Sequence, residues 1–308
     1  MTKTVVRNLI SVLELLFSFC VLAFGLFLIF YYLPFSPLAH LVSKLTHSAS
    51  SASLPPEAQA ILETQWGLHE PFLNRLFTFF KDLFRGDFGQ SVWTGQSIGS
   101  LIWQRGGPSL FLAALSLLGV SLSSLSWAGS EVLSKDFLFG KVLFWKATIL
   151  LCIPPFATGV FFQHIFPEVR SVILALGLYV LTPLPYLVFL LNAKLKEELT
   201  KSHVRSALAQ GSPWHRIIAR NLFKPMLGVL LSFLPAWWSI YWATSLVVEP
   251  LFRISGVGLL TFEAYRNQDG PLLLGISLLL GFGRLFLGWL RDQLFNNLFN
   301  RQLSNPAP

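Results

Sequence analysis

Few residues in this 308-residue chain have the type and the setting to do chemistry. Glu14, His164 and Arg284 stand inside or beside long apolar runs, where an ionisable side chain is costly and marks a functional candidate. Trp237, Trp238, Tyr241 and Trp242 form an aromatic block inside another run. None of these groups composes a reactive centre. No GxxxxGK[ST] occurs, so no phosphate-binding loop is encoded, and no HExxH occurs. No Ser, His and acid set follows from residue order alone. Cys20 and Cys152 lie in separate apolar runs without CxxC spacing, so they read as small buried hydrophobes, not as a disulfide or a zinc site. The chemistry on offer is non-covalent, no cofactor is expected, and energy for any work has to come from another polypeptide.

The elements that position these residues follow from hydropathy. The chain is 53% hydrophobic and only 12% charged, about half the ~25% charge of a soluble domain, with a mean hydropathy of +0.59. The charge deficit is concentrated in runs of about 17–25 residues, the length that crosses the ~30 Å hydrocarbon core at ~1.5 Å per residue. They predict an all-α membrane protein with six spans: the first within residues 1–33, then 107–129, 142–163, 171–193, 225–248 and 270–290. The first run is longer than the core of a signal peptide and no small-residue cleavage site follows, so it reads as an anchor. Fourteen Lys and Arg fall in the segments placed inside when the N-terminus is cytoplasmic, against Arg170, Arg253 and Arg266 in the short outside connections. That bias places both termini in the cytoplasm. It also gives the net charge of +8 a topological origin, so no nucleic-acid partner is implied.

The external segment, 34–106, opens with a Ser-rich linker, and Pro56-Glu57 begins a predicted helix that Gly67 ends. In a second predicted helix, 71–85, Phe72, Leu73, Leu76, Phe77, Phe80, Leu83 and Phe84 recur at i, i+3, i+4 spacing. Such a helix lies in the headgroup plane, caps the bundle, or simply packs on neighbouring spans. Prolines at 154–155, 183, 185 and 235 predict kinks in three spans, which suit a bundle around a pathway. Tyr241 and Trp238 are candidate pathway residues. Arg284, about six residues from the inner end of the last span, either snorkels or faces a cavity and meets a carboxylate. No internal repeat marks a secondary transporter of inverted halves.

One polar stretch stands apart. SHVRSALAQGSPWHRIIARNLFKP (202–225) is basic and rich in small residues, between two apolar runs. Gly211 suits the left-handed residue that closes a helix, Ser212 suits an N-cap, and Pro213 the first position of the next helix. Ile217, Ile218 and Leu222 are placed inward and His215, Arg216 and Arg220 outward, with a break at Lys224-Pro225. The pattern predicts helix, sharp turn, helix on the cytoplasmic side. Physics alone leaves a docking element and an ordinary basic loop equally open.

RSALAQG followed by HRIIARNLFKPML resembles the EAA loop of ABC-importer membrane subunits, in the oligopeptide/dipeptide permease branch that reads V-R-T-A-x-A-K-G there. Ala207 and Gly211 fall on that motif's alanine and glycine, and Arg205, Ser206 and Ala209 fit the branch. Further segments follow in the family's order: PPEAQAILETQWGLHEPF, LFRGDFGQSVWTGQS, VVEPLFRISGVGLL, YRNQDGPLLLG and LRDQLFNNLFNRQL. The resemblance implies a type I importer permease in the bacterial inner membrane, with a core domain over 107–303, a coupling loop over 194–224 and a short tail at 304–308. It implies as partners a second permease, two cytosolic ATP-binding subunits that grip Arg205, Ser206, Ala207, Ala209 and Gly211, an extracytoplasmic peptide-binding protein, lipid, and a peptide substrate. The chain departs from the family at LPFSP (33–37), where PGDP is usual, at Phe299-Asn300-Arg301, and in a short 164–170 connection. The rival readings are a permease for another cargo such as nickel, an ATP-independent secondary transporter, and an intramembrane enzyme.

Overall fold

The computed structural model describes residues 2–32, 71–133, 145–146, 148–149, 152–166 and 171–299. Within them the elements are α1 (Thr2–Tyr32), α2 (Phe72–Phe84), α3 (Ile98–Leu133), α4 (Pro155–Ile165), α5 (Ser171–Leu181), α6 (Leu184–Thr200), α7 (Ser202–Ala209) and α8 (Trp214–Ile217). A π-helical turn (Ile218–Leu222) joins α8 to α9 (Phe223–Phe252), and α10 (Val257–Arg266) and α11 (Gly270–Phe299) complete the set. Among the described residues, five stretches are long and apolar enough to cross a bilayer: Val6–Tyr32, Ile98–Ser130, Val172–Thr200, Trp214–Phe252 and Gly270–Leu298. The predicted span at 142–163 lies partly outside the described residues, and the LPFSP segment, the predicted helix starting at Pro56 and the residues after Phe299 lie wholly outside them.

Helix ends depart from the hydropathy reading in one direction. α3 starts at Ile98, α6 continues to Thr200 and α11 to Phe299, because KLKEELT and RDQLFNN are good helix formers that continue the backbone ladder into polar surroundings. Charge marks where the apolar run stops, not where the helix does. The proline expectations resolve case by case. Leu181 and Leu184 flank a break at Thr182-Pro183, and Pro154 caps α4, so that chain segment is interrupted at Pro154 rather than bent within a helix. Pro235 stays inside a continuous α9. The predicted break at Lys224-Pro225 does not occur. The π-helical turn ends with the Phe223 amide on the Ile218 carbonyl, and Pro225 then falls in the first turn of α9, where a missing N–H is inexpensive.

α9 is the hub, packing against α4, α5, α6, α10 and α11, while α3 lies along α6 and α1 along α11. The core centres on aromatic side chains. Tyr241 stacks at 4.7 Å on Tyr179 and at 5.7 Å on Trp237, each such pair contributing about 0.5–1.5 kcal/mol beyond burial. α2 lays Phe72 and Phe79 on Phe27 at 5.9 and 5.0 Å, with the Arg75 guanidinium 5.5 Å above the Tyr31 ring. Its other apolar edge, Leu73, Phe77 and Phe84, is exposed. Cys20 is half-buried and Cys152 exposed, so only the first approaches the predicted burial.

Two buried carboxylates hold the end of the bundle that carries α10. Glu249 accepts the Ser109 hydroxyl at 2.7 Å and the Leu259 amide at 3.0 Å, and the Ser109 oxygen in turn accepts the Val257 amide at 2.8 Å. Residues from α9 and α3 therefore cap the N-terminus of α10, whose own cap residue, Gly256, has no side chain to do so. A Cβ on Gly256 would collide with the Ser109 hydroxyl and the Glu249 carboxylate. Asp269 plays the same part for α11: it accepts the Leu272 amide at 3.1 Å, the Ser91 hydroxyl at 2.6 Å and the Trp93 amide at 3.2 Å. The turn before α3 is latched to the start of α11.

Candidate functional site

The 202–225 segment is an exposed hairpin whose two legs are helices. At its base, Lys201 caps α7 through its carbonyl, which accepts the Val204 and Arg205 amides at 3.1 and 3.0 Å. Its ammonium reaches Glu198 at 2.7 Å and Glu197 at 3.3 Å, while Lys194 reaches the same two acids at 3.2 and 2.8 Å. Hydrogen bonding to Glu198 first, then to Glu197, holds the Lys201 ammonium above the ordinary lysine range. Glu198 is buried, so this four-charge knot fixes the direction in which the chain leaves α6.

The turn closes in a Schellman arrangement. The Ser212 amide donates to the Ala207 carbonyl at 3.1 Å and the Gly211 amide to the Leu208 carbonyl at 3.0 Å, with Gly211 left-handed at φ +71. Ser212 does not cap the next helix. Pro213 occupies that position in extended conformation, without a side-chain cap bond, and its carbonyl takes the Arg216 and Ile217 amides at 2.9 and 3.2 Å. Val204, Ile217 and Leu222 are buried and pin the hairpin to the bundle, whereas Ile218, predicted inward, is exposed because the π turn rotates it out of the apolar face. Arg205, Ser206, Ala209 and Gly211 form the exposed crest, Ala207 is half-buried, and Trp214 stands exposed beside them. Sequence reading passed over Trp214; the signal was a large aromatic next to a helix start in an otherwise small-residue turn.

The three pathway candidates separate. Tyr241 is 1% exposed, and its hydroxyl donates to the Ser109 carbonyl, so its ring is sealed in the core and offers no open face. Trp238 is half-buried, with its indole N–H on the Leu280 carbonyl at 2.9 Å, and its ring lies over Gly283. Arg284 is exposed. Its Nη1 donates to the Pro235 carbonyl at 2.8 Å and to the Ser239 hydroxyl at 2.9 Å. Arg284 sits in the middle of α11, which runs on to Phe299, and six residues before its apolar run ends at Leu290. A guanidinium there costs about 2.5–3.5 kcal/mol on insertion scales, and two hydrogen bonds offset part of that.

Sequence reading also missed Glu249, Ser109, Ser91 and Asp269 as partners. Their contacts span 140 and 178 residues, and no local periodicity encodes such a pairing.

Long apolar helices packed around one hub, with a short helical elbow projecting between two of them, define a multi-pass membrane protein. Residues 121–303 match the family model described as binding-protein-dependent transport system inner membrane component. The chain belongs to that family and is a multi-pass inner-membrane permease. It is 27% identical over 252 residues, 74% of its own length and 80% of the relative's, to the oligopeptide transport system permease protein OppB of Escherichia coli K12. It is 26% identical to OppB of Haemophilus influenzae, with 80% and 85% of the two chains covered. A putative peptide transport system permease protein of Brucella abortus is 25% identical, over 78% and 83%.

Proposed function

We propose that this chain is the membrane-spanning subunit of an ATP-driven peptide importer. In this reading it has six spans with both termini in the cytoplasm and an external segment over 34–106. It pairs with a second permease to enclose the pathway, an extracytoplasmic binding protein delivers the peptide, and two cytosolic ATPases supply the energy. The peptide cargo rests on the relatives, whose printed names are those of peptide permeases.

The coupling role rests on one observation, the hairpin's mechanics. Its crest (Arg205, Ser206, Ala209, Gly211) is exposed, while Val204, Ile217 and Leu222 bolt it to the bundle. One leg follows α6 through the Lys201 elbow, and the other runs through the π turn into α9, the helix that touches most of the others. A push on the crest is therefore delivered to the hub helix as a rigid-body displacement, the kind of motion that switches a bundle between inward- and outward-facing states. Single-cysteine variants at Ser206 and Gly211, in a background lacking Cys20 and Cys152, test this directly. Cross-linking in native membranes is expected to join them to an ATPase subunit that co-purifies with the complex. Cross-links to lipid or to extracytoplasmic protein alone would refute the coupling role.

A further inference from the structure

We propose that Arg284 is a carboxylate-binding residue of the translocation pathway, taking the terminal carboxylate of a peptide halfway across the membrane; this rests on the importer reading above.

Depth comes first. Arg284 lies about 21 Å along α11 from Gly270 and about 9 Å before the apolar run ends at Leu290, at ~1.5 Å per residue. The residues it bonds set the depth that the guanidinium reaches: Pro235 and Ser239 bracket the middle of the 30-residue α9. The side chain runs sideways to a neighbouring helix at mid-height and does not snorkel to an interface.

The hydrogen-bond inventory comes next. A guanidinium carries five N–H donors. The Pro235 carbonyl and the Ser239 hydroxyl both bond Nη1, and among the described residues no acceptor or carboxylate meets Nε or Nη2. The edge left open is the Nε–Nη2 fork, whose parallel N–H groups match the two oxygens of a carboxylate. Since the Nη1 contacts already fix the side chain, no permanent counter-ion is needed to hold it. Lipid tails offer no acceptor at this depth.

The surroundings agree. The exposed positions of α9 beside Arg284 are Ser232, Ala236, Ser239 and Ala243, whereas the outward face of α3 presents Trp103, Phe111, Leu118 and Leu122. The first is a small, partly polar wall that leaves room for a polar cargo, and the second is a lipid-facing surface. One bidentate contact beside such a wall holds a carboxylate and lets it go.

The test uses the complete transporter in proteoliposomes, with one peptide offered as the free acid and as its C-terminal amide, to wild type, R284Q and R284K. The receptor is identical throughout, so its own preference cancels in the variant-to-wild-type ratio for each peptide. We expect R284Q to lower uptake of the free acid about tenfold and to leave the amide within about twofold. R284K, which keeps the charge but loses the fork, should fall between. Equal losses for both peptides, or failure of the R284Q complex to assemble, would overturn the proposal in favour of a carboxylate on a companion subunit. Absence of uptake of either peptide by wild type would overturn the importer reading and this proposal with it.

Discussion

Gly211 allows the hairpin's geometry to be tested apart from its side chains. Its φ is +71, and no atom lies within 4 Å of where a Cβ would stand. Any penalty for replacing it is therefore backbone strain, with no clash inside the protein. The left-handed region costs an ordinary L-residue about 1–2 kcal/mol, less for Asn and more for a β-branched residue. At about 1.4 kcal/mol per factor of ten, Gly211→Ala should leave the Schellman turn formed about a tenth as often relative to its alternatives. Gly211→Asn should sit near wild type and Gly211→Val should be worst. None should prevent insertion, because the bolts at Val204, Ile217 and Leu222 are buried and untouched. ATP-dependent uptake by the reconstituted complex is thus expected in the order Gly, Asn, Ala, Val, at equal amounts of permease. Full activity of the Val variant would refute the claim that the turn's handedness transmits force. A uniform loss in all three would show that bare backbone at the crest, not its conformation, is what a partner requires.

Other expectations follow from the buried contacts. Glu249→Ala strands the Leu259 amide and the Ser109 hydroxyl, at about 1–3 kcal/mol each, so thermal unfolding in detergent should occur well below wild type; Glu249→Gln, able to satisfy one donor, should fall between. Asp269→Ala removes three accepted hydrogen bonds and should increase hydrogen exchange at Ser91–Thr94 and at the start of α11 together; exchange at only one of the two would disprove the latch. The Lys201 ammonium is held above the ordinary lysine value of about 10.4, so the contribution of its ion pairs is fully present below that pH and is lost as pH rises through the higher folded value. Exchange of α7 amides, corrected for intrinsic rate, should be flat from neutral pH to about pH 10 and increase above it; an increase near neutrality would exclude the lysine as its cause.

Much of the architecture is legible locally. The apolar runs locate the spans, the i, i+4 stripe finds α2, and Gly211 marks the turn, because each depends on neighbours within one or two helical turns. What stays hidden is set by distance along the chain. Glu249 looks like an acid just outside a span; only when α3 brings Ser109 beside Gly256 does it become the cap of a different helix. Arg284 looks close enough to the inner face to snorkel until α9 is seen to receive the guanidinium at mid-height. The π turn leaves no compositional mark, yet it carries the helix past Pro225 and turns Ile218 outward.

The pairing of α1 with α11 has a consequence for biogenesis. α1 leaves the ribosome well before α11, its main neighbour. Some 240 residues of translation separate them, roughly 12–50 s at ~5–20 residues per second. Throughout that interval α1 has to persist without its main partner, with α2 laid on Phe27 and Tyr31; a mean hydropathy of 2.6 over its most apolar 18 residues permits this. Insertion of α11 then makes these contacts, with Gln293 donating to Ser11 at 2.7 Å and Phe282 meeting Phe19 at 5.2 Å. A nascent chain truncated before Gly270 should therefore hold α1 in the membrane with α2 as its neighbour and without the contacts that α11 supplies.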